Sequence, residues 1–160
     1  MQRLDFSAVR DEIGPYCDPQ ATLGDRGARY EELIGFVPPR IAARLNVTGA
    51  LDSKLLALQE EIRQHAMYPA CFDVKTSQLM LFGMLAMGLY DAASLHGRAA
   101  RRAGASWEEM QAVVSLAYLF GGMPVANRGA EIIAQLAEAE VNARDASSAA
   151  GDSKASKTTE

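Results

Sequence analysis

The chain has 160 residues, 49% hydrophobic and 22% charged, with a formal net charge of −4 and a sequence pI of about 5.2. That length suits one domain, and the apolar share is enough for a core without disulfides or a structural metal. The acidic balance lacks the basic footprint that binding to a phosphate backbone needs, which argues against a nucleic-acid partner.

Cys17, Cys71, His65 and His96 form no CxxC and no zinc-ligand spacing, so no metal site is expected. A disulfide between the two cysteines stays open, though a reducing cytosol is the simpler setting. Met1 to Asp5 does not follow the charged-then-apolar order of a signal peptide. The longest apolar run, Leu79 to Tyr90, is shorter than the ~20 residues that span a bilayer. These features predict a soluble, cytoplasmic protein without membrane contact.

Along the chain the punctuation is that of helices, and no alternating β-branched run predicts a strand. Phe6 to Ile13 reads as a first helix, closed by Gly14-Pro15. Tyr16 to Gly27 carries Asp, Pro and Gly in turn-like order and reads as a loop, followed by a short helix from Tyr30 to Gly35. Pro38-Pro39 opens a helix that fades near Asn46 to Gly49. Asp52 caps an amphipathic helix to about Met67, with Leu55, Leu58, Ile62 and Met67 as its apolar side and Pro69 as its stop.

Asp73 caps the next helix, Val74 to Gly88, whose second half is apolar all round. Such a helix needs cover, in a bundle centre or a subunit interface. Its Met80, Met84 and Met87 form one stripe, read as core packing. A helix from about Tyr90 to Ala103 ends at Gly104. Ser106 and Glu109 then form a capping box for a helix to Phe120. Gly121-Gly122 breaks it, and Pro124 starts a last helix to about Asn142. Residues 144–160 carry no large apolar side chain and read as a disordered tail. The expectation is an all-α protein: a compact bundle of about six to seven helices over residues 1–143, then the tail.

His96 is the residue most suited to chemistry. Ala92, Ala93, Ala99 and Ala100 share its helix face, which leaves room either for a ligand or for a closely approaching helix. Gln78 lies on the side of its helix that leads into the apolar segment. Tyr118 sits in an apolar stretch, and its hydroxyl needs a partner if buried. His65, on a charged helix, reads as surface.

Three stretches in fixed order add a resemblance. Lys75-Thr76 opens an apolar helix, and His96-Gly97-Arg98-Ala99-Ala100 runs on to Gly104. Then follow Trp107-Glu108-Glu109-Met110 and Gly122-Met123-Pro124-Val125-Ala126-Asn127. This order resembles the carboxymuconolactone decarboxylase family, which includes the alkylhydroperoxidase-D-like proteins, over roughly residues 73–137. The resemblance implies an alkylhydroperoxidase-D-like helical bundle assembled as a homo-oligomer, a trimer or hexamer.

The peroxidase-like branch carries cysteines seven and four residues before its histidine, where this chain has Leu89 and Ala92. Neither can form a thiolate, so dithiol redox chemistry does not carry over. The decarboxylase-like branch remains. It implies a cofactor-independent lyase acting on a small carboxylated lactone or unsaturated acid from aromatic-compound catabolism. His96 would be the proton donor or acceptor, and Gln78 or Tyr118 an oxyanion donor. Ala92 stands in the substrate region, where that branch often has an acidic residue. An isomerase of a similar substrate and a non-catalytic binding or assembly protein on the same fold are the alternatives.

Overall fold

The computed structural model describes the backbone of residues 4–155 and the side chains of residues 4–148. Seven helices and no strand occur among the described residues: α1 (Phe6–Ile13), α2 (Leu23–Ile34), α3 (Pro39–Leu51), α4 (Ser53–Met67), α5 (Val74–Met87), α6 (Ala93–Arg102) and α7 (Trp107–Ala155). No described helix is long and apolar enough to cross a membrane. Contacts divide the chain into two compact units, Met1–Ser77 and Gln78–Glu160, with the division falling inside α5.

In the N-terminal unit α3 packs against α1, α2 and α4. α2 starts seven residues earlier than the predicted Tyr30. Thr22 and Asp25 form a reciprocal capping box, in which the Asp25 amide donates to Thr22 Oγ1 and the Thr22 amide to the Asp25 carboxylate. That pair overrides the turn-like look of Gly24 and Gly27. α4 has the predicted cap, the Leu55 amide donating to Asp52 Oδ1 at 2.9 Å. Its inward face differs from the expected one. Leu55, Leu58 and Ile62 are exposed, while Leu56, Ala57 and Glu60 are buried.

Glu60 is drawn inward by partners. Tyr30 Oη donates to its Oε1 at 2.7 Å, and Arg44 donates to the same oxygen and to Tyr30 Oη. Burial, and then the bond to Glu60, push the Tyr30 phenol up to about 12. A second buried pair joins Arg26 to Asp18, with Nε and Nη2 both donating to Oδ2 at 3.0 and 2.6 Å. Burial pushes the Asp18 carboxyl up, but the Gln20 amide, Arg26 and Tyr16 outweigh it and hold the carboxyl below its usual range.

The C-terminal unit has an apolar core of Phe82, Ala86, Ala93, Ala100, Met110, Val114, Ile132 and Leu136 with Ala105. The predicted Ser106–Glu109 capping box forms, with amide-to-side-chain bonds of 2.7 and 3.1 Å. Helix α7 is broken at Gly122, whose φ of 68° and ψ of −162° are not helical. This is the predicted Gly-Gly break, at a conformation glycine adopts without strain. Beyond it the helix continues past Asn142 to Ala155, so the stretch expected as a tail from residue 144 is helical backbone that far. Alanine, the strongest helix former, is frequent there. Residues 156–160 lie outside the described residues.

The methionine stripe corrects another expectation. Met80, Met84 and Met87 are exposed, and α5 turns Gln78, Phe82 and Ala86 inward instead. The predicted all-round cover of this helix is therefore not supplied by the described residues.

Replacing Arg26 by Met leaves Asp18 buried without its cation, at a cost of ~3–5 kcal/mol in urea unfolding. Because the folded pKa of Asp18 is depressed, its contribution is complete above the unfolded value of ~3.9 and is lost as pH falls through the folded one. Asp18→Asn is expected to flatten the acid limb of the stability curve while lowering stability at neutral pH.

Candidate functional site

The site in the C-terminal unit is built from two helices. Asp73 starts α5 by accepting the Thr76 amide at 2.7 Å, and the first full turn then carries Gln78 inward, where it is 0% exposed. α6 begins after Ala92, whose carbonyl accepts from the amides of Leu95 and His96 at 3.1 and 3.2 Å. The helix is held close to its neighbours by small residues. Ala93, Ala99 and Ala100 are buried, and a Cβ on Gly97 would lie 3.1 Å from Leu136 and 3.3 Å from both Met110 and Phe82. Of the two readings of the alanine-flanked face, a closely approaching core accounts for these three; Ala92 is half-buried.

At its far end α6 is tied to α7. Arg101 makes two 2.9 Å bonds to the Glu140 carboxylate and lies over the Trp107 ring, 3.7 Å from its centroid. Arg101 holds the Glu140 carboxyl below its ordinary range.

This packing brings His96 to Gln78. His96 Nδ1 lies 2.8 Å from Gln78 Oε1, and the imidazole is half-buried. A carboxamide oxygen only accepts, so the contact requires the proton on Nδ1 and makes Nε2 the basic nitrogen of the neutral ring. At the other end of the same carboxamide, Gln78 Nε2 is buried without a hydrogen-bond partner among the described residues. One side chain thus orients the imidazole and offers a desolvated donor.

The other candidates are placed elsewhere. Tyr118 is 42% exposed, beside the exposed Leu119 and Phe120, and no described hydrogen bond joins it to His96 or Gln78. The described residues therefore do not bring it to the His96–Gln78 pair. Asp91 meets Arg128 at 3.7 Å. His65 is exposed, as expected. Cys17 and Cys71 are both exposed and not joined in a disulfide, and the Cys17 thiol donates to the Gly49 and Ala50 carbonyls at 3.3 Å.

Compared with known protein families, residues 53–135, just over half the chain, match the sequence model of the carboxymuconolactone decarboxylase family. The chain belongs to this family. No curated protein and no solved structure matches it. The matched span contains α4, α5 and α6 and both members of the His96–Gln78 pair. Within this family member, the two positions that carry cysteines in the peroxidase-like pattern are Leu89 and Ala92, and Leu89 adopts a positive φ of 54°. A leucine there costs about 1 kcal/mol of backbone strain.

The geometry predicts that neutral His96 is the Nδ1–H tautomer, read from its ring 15N shifts by two-dimensional NMR. In Gln78→Leu the preference for that tautomer is expected to weaken; an Nε2–H tautomer in the unmodified protein would contradict the assignment.

Proposed function

We propose that the protein is a cofactor-independent lyase that removes CO₂ from a small carboxylated lactone or unsaturated acid, with His96 moving the proton. The observation that carries this reading is the bifunctional Gln78: its oxygen fixes His96, and its buried amide nitrogen has no protein partner among the described residues. A buried unpaired donor costs ~1–3 kcal/mol, which a ligand oxygen would relieve. Family membership agrees with the chemistry.

In the reaction the bond between the substrate and its carboxylate breaks, and its electron pair passes into the conjugated carbonyl as an enolate. The Gln78 amide donates to the oxygen that gains charge, a stabilisation worth most where water is excluded. His96, protonated on both nitrogens, delivers its Nε2 proton to a carbon of the resulting enolate and regains one from solvent. The Gln78 oxygen accepts the Nδ1 proton in both charge states, so the ring keeps its orientation through the cycle. An isomerase would use the same pair, taking and returning a proton without loss of carbon.

The active form in this reading is a homo-oligomer, a trimer or hexamer. Support comes from the exposed Met84, Met87, Leu119, Phe120 and Met123 of the C-terminal unit. A Cβ on Gly121 would lie 3.5 Å from Met87, which joins the α5 stripe to the break in α7. An apolar surface of this kind marks an association site. Light scattering is expected to give a multiple of 17.2 kDa, and Met84→Glu with Phe120→Glu to reduce it; a monomeric unmodified protein would contradict the assembly.

Assay against carboxymuconolactone and related ring-cleavage acids tests the lyase. His96→Ala is expected to lower kcat by ~10²–10⁴-fold, the usual range for a lost general acid. Unchanged turnover in that variant would remove His96 from the mechanism. No turnover by the unmodified protein on any of these acids would favour a binding or assembly role on the same fold.

A further inference from the structure

A cleft of about 450 Å³ lies wholly within the N-terminal unit, lined by side chains that the lyase reading does not use. That volume falls in the range of small-molecule sites. One wall is α2, which contributes Arg26 and Arg29 three residues apart on one face. The other is α4, which contributes Glu61, Gln64 and His65 at one helical spacing, and Gln20 closes the end from the preceding loop.

Two features set this cleft apart from an ordinary solvated groove. Arg26 is only 4% exposed, and its guanidinium is fixed by Asp18 through Nε and Nη2. A rigid guanidinium, its charge balanced by the buried Asp18, thus already lies in the cleft lining as a preformed hydrogen-bond donor, and the unbalanced positive charge of that wall is Arg29. Secondly, the exposed charges on the two walls are opposite in sign and not joined. Among the described residues neither Arg29 nor Glu61 takes part in an ion pair within 4.0 Å. Arg29 also acts on the Asp25 carboxylate of its own helix, without an ion pair closing the cleft to Glu61 among the described residues.

We propose that this cleft binds a small zwitterionic carboxylate of the amino-acid class. Its carboxylate lies across Arg29 and the edge of Arg26, and its ammonium faces Glu61. Guanidinium and carboxylate match in shape and charge, so the anionic end is fixed at α2. Gln20 and Gln64 add neutral donors and acceptors along the ligand's length. A dicarboxylate would place its second charge against Glu61 and is disfavoured for that reason.

Calorimetric titration of the full chain with 4-aminobutyrate and, separately, succinate at one ionic strength tests this. 4-Aminobutyrate is expected to bind about ten-fold more tightly than succinate. Arg29→Gln should weaken it by a similar factor, and Glu61→Gln should remove the preference. Both substitutions are at exposed positions and leave the fold intact, which circular dichroism checks. His96→Ala should bind 4-aminobutyrate like the unmodified protein, because the cleft contains no part of the His96 site. Absence of heat with 4-aminobutyrate at millimolar concentration would overturn the proposal. So would equal affinity for the two probes, unchanged binding in Arg29→Gln, or loss of binding in His96→Ala.

Discussion

The close approach of α6 to its neighbours is the constraint on which the C-terminal unit depends. Ala93, Gly97 and Ala100 occupy the side of α6 that meets the core, and Phe82, Met110 and Leu136 fill the space that larger side chains would take. A dense interior allows little adjustment there. A bulky residue at Gly97 would push α6 outward and carry His96 away from Gln78, so core packing and the candidate chemistry share one cause. The Arg101–Glu140 pair and the Arg101–Trp107 contact hold the other end of α6 in place.

The two units use different means to place polar groups inside. The N-terminal unit buries charges and answers them with opposite charges, as in Arg26–Asp18 and Arg44–Glu60. Such pairs contribute little net stability over an apolar substitute, yet breaking one is costly. In the C-terminal unit the notable buried polar side chain is the neutral Gln78, whose oxygen engages His96 while its amide nitrogen has no partner among the described residues. A neutral partner orients an imidazole without fixing it in the charged state, which the proposed proton transfer by His96 would use.

Much of this was legible in the sequence wherever the signal was local. The caps at Asp52, Asp73 and Ser106–Glu109 follow from short-range hydrogen-bonding chemistry, and so does the break at Gly121-Gly122. The family followed from the ordered stretches around His96, Trp107 and Gly122. What escaped depended on distant partners. Glu60 reads as a solvent-facing charge until Tyr30 and Arg44, at 30 and 16 residues' separation, are known to meet it. Once it points inward, Leu55, Leu58 and Ile62 must point outward. The contact of Gln78 with His96 joins two helices, which helical spacing cannot anticipate, although the inward side of Gln78 was visible. Gly24 and Gly27 hid the start of α2, where the Thr22–Asp25 box decides.

In the proposed lyase, His96 returns a proton to the enolate that loss of CO₂ leaves behind. Turnover of carboxymuconolactone in D₂O, followed by NMR of the product, tests this most directly. A fixed imidazole delivers to one face, so a single deuteron with one configuration is predicted for the unmodified protein, with that selectivity lost in any residual turnover by His96→Gln. The same singly deuterated stereoisomer, formed by His96→Gln at an undiminished rate, would contradict the account.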